Sequence, residues 1–359
     1  MTLADRGRVI IEAGLNETAP KDRNPNIPYG PEEVAAAAVE AARAGASIVH
    51  FHARHDDGTQ AWNDADIYRR AMELIAEESD LLAYPTYPPR IPREQRYRHI
   101  WELADAPSRA PLELAPLDIG SRNVVLWDRD RRAFAPLDLL PAEHQVAVNP
   151  PDELEWFLGE ARRRGLHATL GIFDVTYLRY SVHALWAGLL APPLLMKWFL
   201  AERWASGPFP TVAGLDSYVA QIPDDVDYEG IVVPYAIHEP DDCETLWRAA
   251  LERGQGIRVG IGDCPDAYPK ATNAELVARA VELASARGLE PATPAEVRER
   301  LGLSKAVPDS GVGSGPVGEV GVDHLDEPGL EHGIVGERCG DGGTGCGARR
   351  HAGRDEMPG

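Results

Sequence analysis

The sequence predicts an α/β protein of the (β/α)8-barrel (TIM-barrel) class over residues 1–303, with a disordered Gly/Pro-rich tail over 304–359. Three observations predict it. Short apolar runs alternate with helical patterns eight times. The runs are nearly continuous in apolar residues rather than alternating, as parallel strands covered on both faces require. Eight such units in about 300 residues match the size of a closed barrel, with a doubly wound open sheet as the alternative arrangement.

The strand candidates are VIIEAGLN (9–16), SIVHFHAR (47–54), LLAYPTY (81–87), PLELAPLD (111–118), HATLGIFD (167–174), PLLMKWFL (193–200), GIVVPYAI (230–237) and IRVGIGD (257–263). Helices between them carry start and stop signals. Pro31 suits a first helical position because its missing N–H would be unpaired there anyway, and Glu32 and Glu33 suit the helix dipole. Gly45 stands where a left-handed cap would end that helix. In NDADIYRRAMELIAEESD, the residues Ile67, Ala71, Leu74 and Ile75 fall on one face. Residues 122–150 exceed an ordinary strand–helix loop and are expected to decorate the barrel or meet a second subunit. After residue 303 the chain is rich in Gly, Pro and charge with almost no aromatic residue. Such a segment cannot bury enough apolar surface to offset roughly 1–2 kcal/mol of backbone entropy per residue.

Composition narrows the function. A formal net charge of −21 argues against nucleic acid and anionic membrane as partners. No run approaches the roughly 18 apolar residues of a bilayer span, and MTLADRGRVIIEAG lacks a signal-peptide core. Four scattered cysteines suit a reducing compartment, so a cytoplasmic location is expected.

The strongest local signal is IVHFHAR. His50 and His52 are two apart on a strand, so both side chains leave the same face. Near the C-terminal end of a barrel strand, where such active sites are built, two imidazoles can hold one metal ion; two half-buried, hydrogen-bonded histidines are the plainer reading. IRVGIGD adds Asp263 at the C-terminal end of the last strand and Arg258 at its start, long enough to reach a carboxylate inside the barrel, or the two could simply form an ion pair closing the barrel. Asn16 and Glu17 follow the first strand, His238 and Glu239 the seventh, and Thr86 ends the third. Each of these alone reads more readily as a loop polar residue or helix-start acid than as a catalytic group. Cys339, Cys346, His332 and His351 have spacing that does not suit a metal site.

Several stretches together resemble the β-keto acid cleavage enzyme family, which includes the 3-keto-5-aminohexanoate cleavage enzyme. They are NPNIPYGPEEVAAAAVEAARAGASIVHFHAR, DDGTQAW, LAPLDIGSRN, IRVGIGD, TNAELVARAVELA and ATPAEVRERLGL, in order over residues 8–303. The resemblance implies a TIM barrel, a zinc-class divalent cation (Zn2+), acetyl-CoA as co-substrate of a small β-keto acid, and a homo-oligomer, usually a tetramer. It implies acyl transfer that yields acetoacetate and a new CoA ester. His50 and His52 fall on metal-binding histidines, Arg258 on an arginine that holds substrate charge, Asp263 on an acid assisting proton transfer, and Thr86 on a serine near the reacting carbonyl.

The sequence also departs from that pattern. The family's third metal ligand, a glutamate, corresponds to Gly262; a glutamate ending strand five corresponds to Gly171; a histidine opening strand eight corresponds to Gly256. A three-ligand site then needs a substitute, with His238 the first candidate and Glu17 the second. Tyr87, Tyr235 and Phe173 join Thr86 as candidate pocket residues. Two alternatives stay open: a metallohydrolase of amidohydrolase type, and a non-catalytic barrel that binds an acyl-CoA or keto acid.

Overall fold

A computed structural model describes residues 1–88, 91–136 and 146–303. The tail expected over 304–359 lies outside the described residues. The eight apolar runs become eight parallel strands of one sheet: β1 (Ile11–Gly14), β2 (Ile48–Phe51), β3 (Leu82–Pro85), β4 (Leu114–Asp118), β5 (His167–Ile172), β6 (Leu194–Ala201), β7 (Tyr228–Tyr235) and β8 (Gly256–Val259). Hydrogen-bonded order around the sheet is β3-β2-β1-β8-β7-β6-β5-β4. The end strands β3 and β4 adjoin, and the backbone N–H of Asp118 donates to the Tyr87 hydroxyl at 2.7 Å across that seam. The sheet is thereby a nearly closed barrel, not an open doubly wound sheet.

Helices cover the outside: α1 (Gly30–Ala44), α2 (Ala65–Glu78), α3 (Arg98–Asp105), α4 (Pro151–Arg163), α5 (Val175–Trp186), α6 (Val212–Val219), α7 (Pro240–Glu252) and α8 (Asn273–Ser285). Helix α1 has Pro31 in its first turn and ends at Gly45 with φ 119°, where a side chain would be strained. Helix α2 is capped by Asp64, whose carboxylate accepts from the N–H groups of Asp66 and Ile67 at 3.0 and 3.1 Å. Its fully buried face is Tyr68, Ala71, Met72 and Ile75, so the expected stripe is rotated and Ile67 and Leu74 sit at its edge.

Strand register decides which side chains meet. Glu12 on β1 is level with Arg258 on β8, Gly14 with His50, and His50 with Tyr84 on β3. On the other wall Asp118, Gly171 and Lys197 form a level row across β4, β5 and β6. Residues 122–136 and 146–147 decorate the barrel: Arg122–Asn123 pairs with Val146–Ala147, and Val125–Asp128 forms a hairpin with Ala133–Pro136. A last helix, Pro294–Leu301, opens with a capping box at Thr293. Its Arg298 pairs with Glu113, just ahead of β4, at 2.7 Å and with Asp80 at 3.3 Å. No helix among the described residues is long and apolar enough to cross a membrane.

Candidate active site and metal centre

The site is built from the loop after β1 upward. Asn16, fully buried, accepts from the His52 N–H at 2.8 Å and donates to the His52 carbonyl at 3.0 Å. This clamp fixes the end of β1 to the end of β2. The next residue, Glu17, has φ 41°, a left-handed conformation unusual for a residue with a side chain. The Arg54 guanidinium holds the turn by donating to the carbonyls of Ala19 at 2.8 Å, Asn16 at 3.0 Å and Glu17. The turn sends the Glu17 carboxylate back over the barrel mouth, between the two histidines.

There, His50 Nε2 lies 3.3 Å from Glu17 Oε1 and His52 Nε2 lies 3.2 Å from Glu17 Oε2. All three side chains are buried, and among the described residues they form a group whose donor atoms all lie within 4.8 Å of one another. The donor set fits a zinc-class cation: two imidazoles and one carboxylate, with a further position open toward the cavity. Nδ1 of each ring is buried and has no hydrogen-bond partner among the described residues, which leave part of the cluster's polar demand unmet. Burial, with help from Arg258, His52 and Lys197, holds His50 well below the usual histidine range, hence in the neutral, ligating form.

Beside this group stands a buried charge cluster. Arg258 donates to both oxygens of Asp263 at 2.9 and 2.7 Å, to Glu12 at 3.0 Å, and to Glu17. Three carboxylates thus surround one guanidinium. Burial raises Glu17, but Arg258, His52 and His50 outweigh it and hold that carboxyl well below its ordinary range. Asp263 goes the other way: burial, assisted by Glu17 and Glu12, pushes it up to about 7 against the pull of Arg258. Glu12 Oε1 also accepts from the Tyr84 hydroxyl at 2.5 Å, which in turn accepts from Lys197 Nζ at 2.5 Å. Burial lowers Lys197 to about 8.

A cavity of about 200 Å³ opens over these groups. Thr86, Tyr87, Phe173 and Tyr235, expected as pocket residues, all line it, with His50, His52, Glu17 and Arg258. The backbone carbonyl of Thr86 accepts from His99 Nε2 at 2.7 Å. Sequence reasoning passed over Asp118, Arg122 and Lys197, which also line the cavity; their inward register on β4 and β6 and just past β4 was the available signal.

His238 does not join the metal group. Its ring pairs with Glu202 at 3.1 Å and faces Asp266 at 3.7 Å, with 46% of the side chain exposed. The physical reason is the turn at Ala236, with φ 50° and its N–H bonded to the Asp263 carbonyl at 2.9 Å, which sends the chain onto the rim before residue 238. The second-ranked substitute, Glu17, is the residue that lies beside both histidines. Close packing on backbone accounts for two of the glycine departures, Gly262 and Gly256, whereas at Gly171 an added side chain would meet only other side chains. A Cβ at Gly262 would lie 2.6–2.8 Å from the Asn16 backbone, one at Gly256 2.8 Å from the Ile10 carbonyl oxygen, and one at Gly171 2.5 Å from Asp118 Oδ1. Among the described residues, the additional middle-strand histidines of an amidohydrolase-type site are also lacking from the mouth: His167 opens β5 at the opposite end and His183 lies on α5.

A family profile described as beta-keto acid cleavage enzyme matches residues 8–303. The 3-keto-5-aminohexanoate cleavage enzyme of Fusobacterium nucleatum subsp. nucleatum is 27% identical over 317 residues, covering 83% of this chain and 99% of that protein. The 3-dehydrocarnitine:acetyl-CoA trimethylamine transferase of Rhizobium meliloti is 24% identical, over 81% of this chain and 94% of that protein. The apo structure of ObcA superposes with a TM-score of 0.60 at 18% identity, covering 78% of this chain and 66% of that one, a likeness of fold alone. The chain therefore belongs to the beta-keto acid cleavage enzyme family, and it is an enzyme of that carbon–carbon-cleaving, acyl-transferring class.

Proposed function

We propose that this chain is a metal-dependent β-keto acid cleavage enzyme that exchanges acyl groups between a β-keto acid and acetyl-CoA, giving acetoacetate and a new CoA ester. The observation that carries the reading is the Glu17 carboxylate set 3.3 and 3.2 Å from the Nε2 atoms of His50 and His52, buried at the barrel mouth. Glu17, His50 and His52 would hold the cation. When bound, a zinc-class ion supplies Lewis acidity to the keto and carboxylate oxygens of the substrate, which favours enolate formation.

The chain's own groups do the rest. Arg258, held by three carboxylates, presents a fixed positive charge to the cavity wall and balances the developing oxyanion. A substrate anion reaching Arg258 competes for the donors that now engage Asp263, and so frees a carboxylate to take the proton from the carbon between the two carbonyls. That carbon attacks the thioester and the CoA thiolate leaves. The thiolate then adds to the original keto carbon, the bond between that carbon and the attacking carbon breaks, and the acetoacetate enolate so released takes back the proton as it separates from the new CoA ester. Thr86 lines the wall where a reacting carbonyl would lie. The non-catalytic alternative drew on the lost glutamate at Gly262, and Glu17 offers an oxygen in its place. A homo-oligomer is part of the proposal, favoured by exposed Trp127 and Phe134 on the added hairpin, as is a reducing cytoplasmic setting in which buried Cys243 and Cys264 remain thiols.

The test is direct. The purified full chain is loaded with zinc and incubated with acetyl-CoA and a panel of β-keto acids, and acetoacetate and CoA esters are measured by mass spectrometry. Formation of both, lost at least about 100-fold in His50→Ala, is expected. Absence of acetoacetate from every substrate, with metal bound, would contradict the reaction while leaving the fold intact.

A further inference from the structure

The two walls of the cavity carry opposite electrostatic excess. On the β8–β1–β2 side, Glu12, Glu17 and Asp263 face a single guanidinium, Arg258, an excess of carboxylate that suits a cation. On the β4–β5–β6 side, Arg122 and Lys197 line the cavity with one carboxylate, Asp118, and the intervening row position is Gly171; Lys197 is also linked to Glu12 through the Tyr84 hydroxyl. Asp118 lies beyond 4.0 Å from both cations, and among the described residues neither is in an ion pair.

Arg122 is held in a particular way. Its guanidinium stacks between the rings of Phe173 and Trp204, at 4.1 and 3.9 Å from their centroids. Its hydrogen bond to Ser206 Oγ is long, at 3.5 Å. A guanidinium carries five N–H donors in one plane. Aromatic rings cover its two faces and restrict its rotation, so the in-plane donors beyond those near Ser206 and the Tyr177 hydroxyl remain for a ligand. A planar carboxylate matches such an edge with two parallel hydrogen bonds.

We infer that Arg122, with Lys197 on the same wall, is a distal anion subsite, and that the β-keto acid this enzyme takes carries a second carboxylate at the end remote from its reacting carbons. The inference rests on the proposed reaction for the identity of the near end of the substrate. One carboxylate and the keto oxygen belong at the His50, His52 and Glu17 end, and the second carboxylate reaches across the cavity to Arg122. A phosphate of CoA is the other anion the reaction brings. Its diphosphate lies a full pantetheine arm from the thioester, outside a cavity of about 200 Å³ that must hold the reacting carbons.

Two measurements on the zinc-loaded full chain test this. Calorimetric binding of succinate, glutarate and adipate is compared with binding of their monoamides, which needs no turnover. At least one diacid is expected to bind about 10–100-fold tighter than its monoamide, the range of a charge-assisted hydrogen-bond pair, with the preference lost in Arg122→Gln and partly restored in Arg122→Lys. Equal binding of every diacid and its monoamide by the wild type overturns the subsite, as does a preference that survives in Arg122→Gln. Where turnover is found, the ratio of kcat/KM for β-keto dicarboxylates to that for neutral β-keto acids of equal length is expected to fall toward one in Arg122→Gln. A ratio near one in the wild type overturns the substrate assignment and leaves the reaction standing. If no β-keto acid turns over, the reaction fails and the binding comparison alone still decides the subsite. An Arg122→Gln chain that does not fold leaves the wild-type comparison decisive.

Discussion

The chemistry of this site turns on how three buried carboxylates divide the attention of one guanidinium. Glu12, Glu17 and Asp263 all hydrogen-bond to Arg258, and like charges that close together cannot all ionise with equal ease. Glu17 keeps its charge because Arg258 and both histidines surround it. Asp263 gives way because burial and its two carboxylate neighbours raise it to about 7. An acid raised in this way is protonated below that pH and accepts a proton only above it. For the proposed role, kcat/KM should therefore rise with pH through an apparent value near 7 and flatten beyond it. Asp263→Asn should lose that limb and about 100-fold or more of the rate. A pH profile of the variant that keeps the same limb would remove Asp263 from proton transfer.

At the scale of elements, the ends of β1 and β8 settle which residue can be the third ligand. The stretch after β8 packs directly on the end of β1: the Gly262 N–H donates to the Gly14 carbonyl at 3.3 Å, and a Cβ at Gly262 would press on the Asn16 backbone. Backbone occupies the volume a glutamate there would need. On the proposed reading the ligand comes instead from the β1 loop itself, one residue beyond the Asn16 clamp. Gly262→Glu is thus expected to lower stability by roughly 1–3 kcal/mol, the cost of overpacking, and to add no zinc affinity. Thermal unfolding and zinc titration of the variant check both parts; unchanged stability with tighter zinc binding would contradict them. This is also where sequence reading reached its limit. That His50 and His52 share a face follows from strand periodicity alone. That Glu17 turns inward and His238 outward depends on φ values of 41° and 50° at Glu17 and Ala236, positive angles that neither residue type announces.

On the scale of the whole molecule, barrel closure is what brings residues 17, 52, 122 and 258 to one cavity. The architecture was legible because parallel strands buried on both faces leave continuous apolar runs, and all eight runs overlap the strands observed. Helix signals at Pro31 and Gly45 were equally local. The stacking of Arg122 between Phe173 and Trp204 was not legible, since it joins segments from three different strand–helix loops and no periodicity links them. Nor was the seam, where Tyr87 and Asp118 stitch the last two strands. The central claim is that this closure makes a three-ligand metal centre from the β1 loop and β2. Its most direct measurement is the anomalous-scattering map of crystals grown with zinc. A single peak within about 2.0–2.2 Å of Glu17, His50 and His52 donor atoms is the result expected. A peak at His238, or histidines that still contact the Glu17 carboxylate with no ion among them, would contradict it.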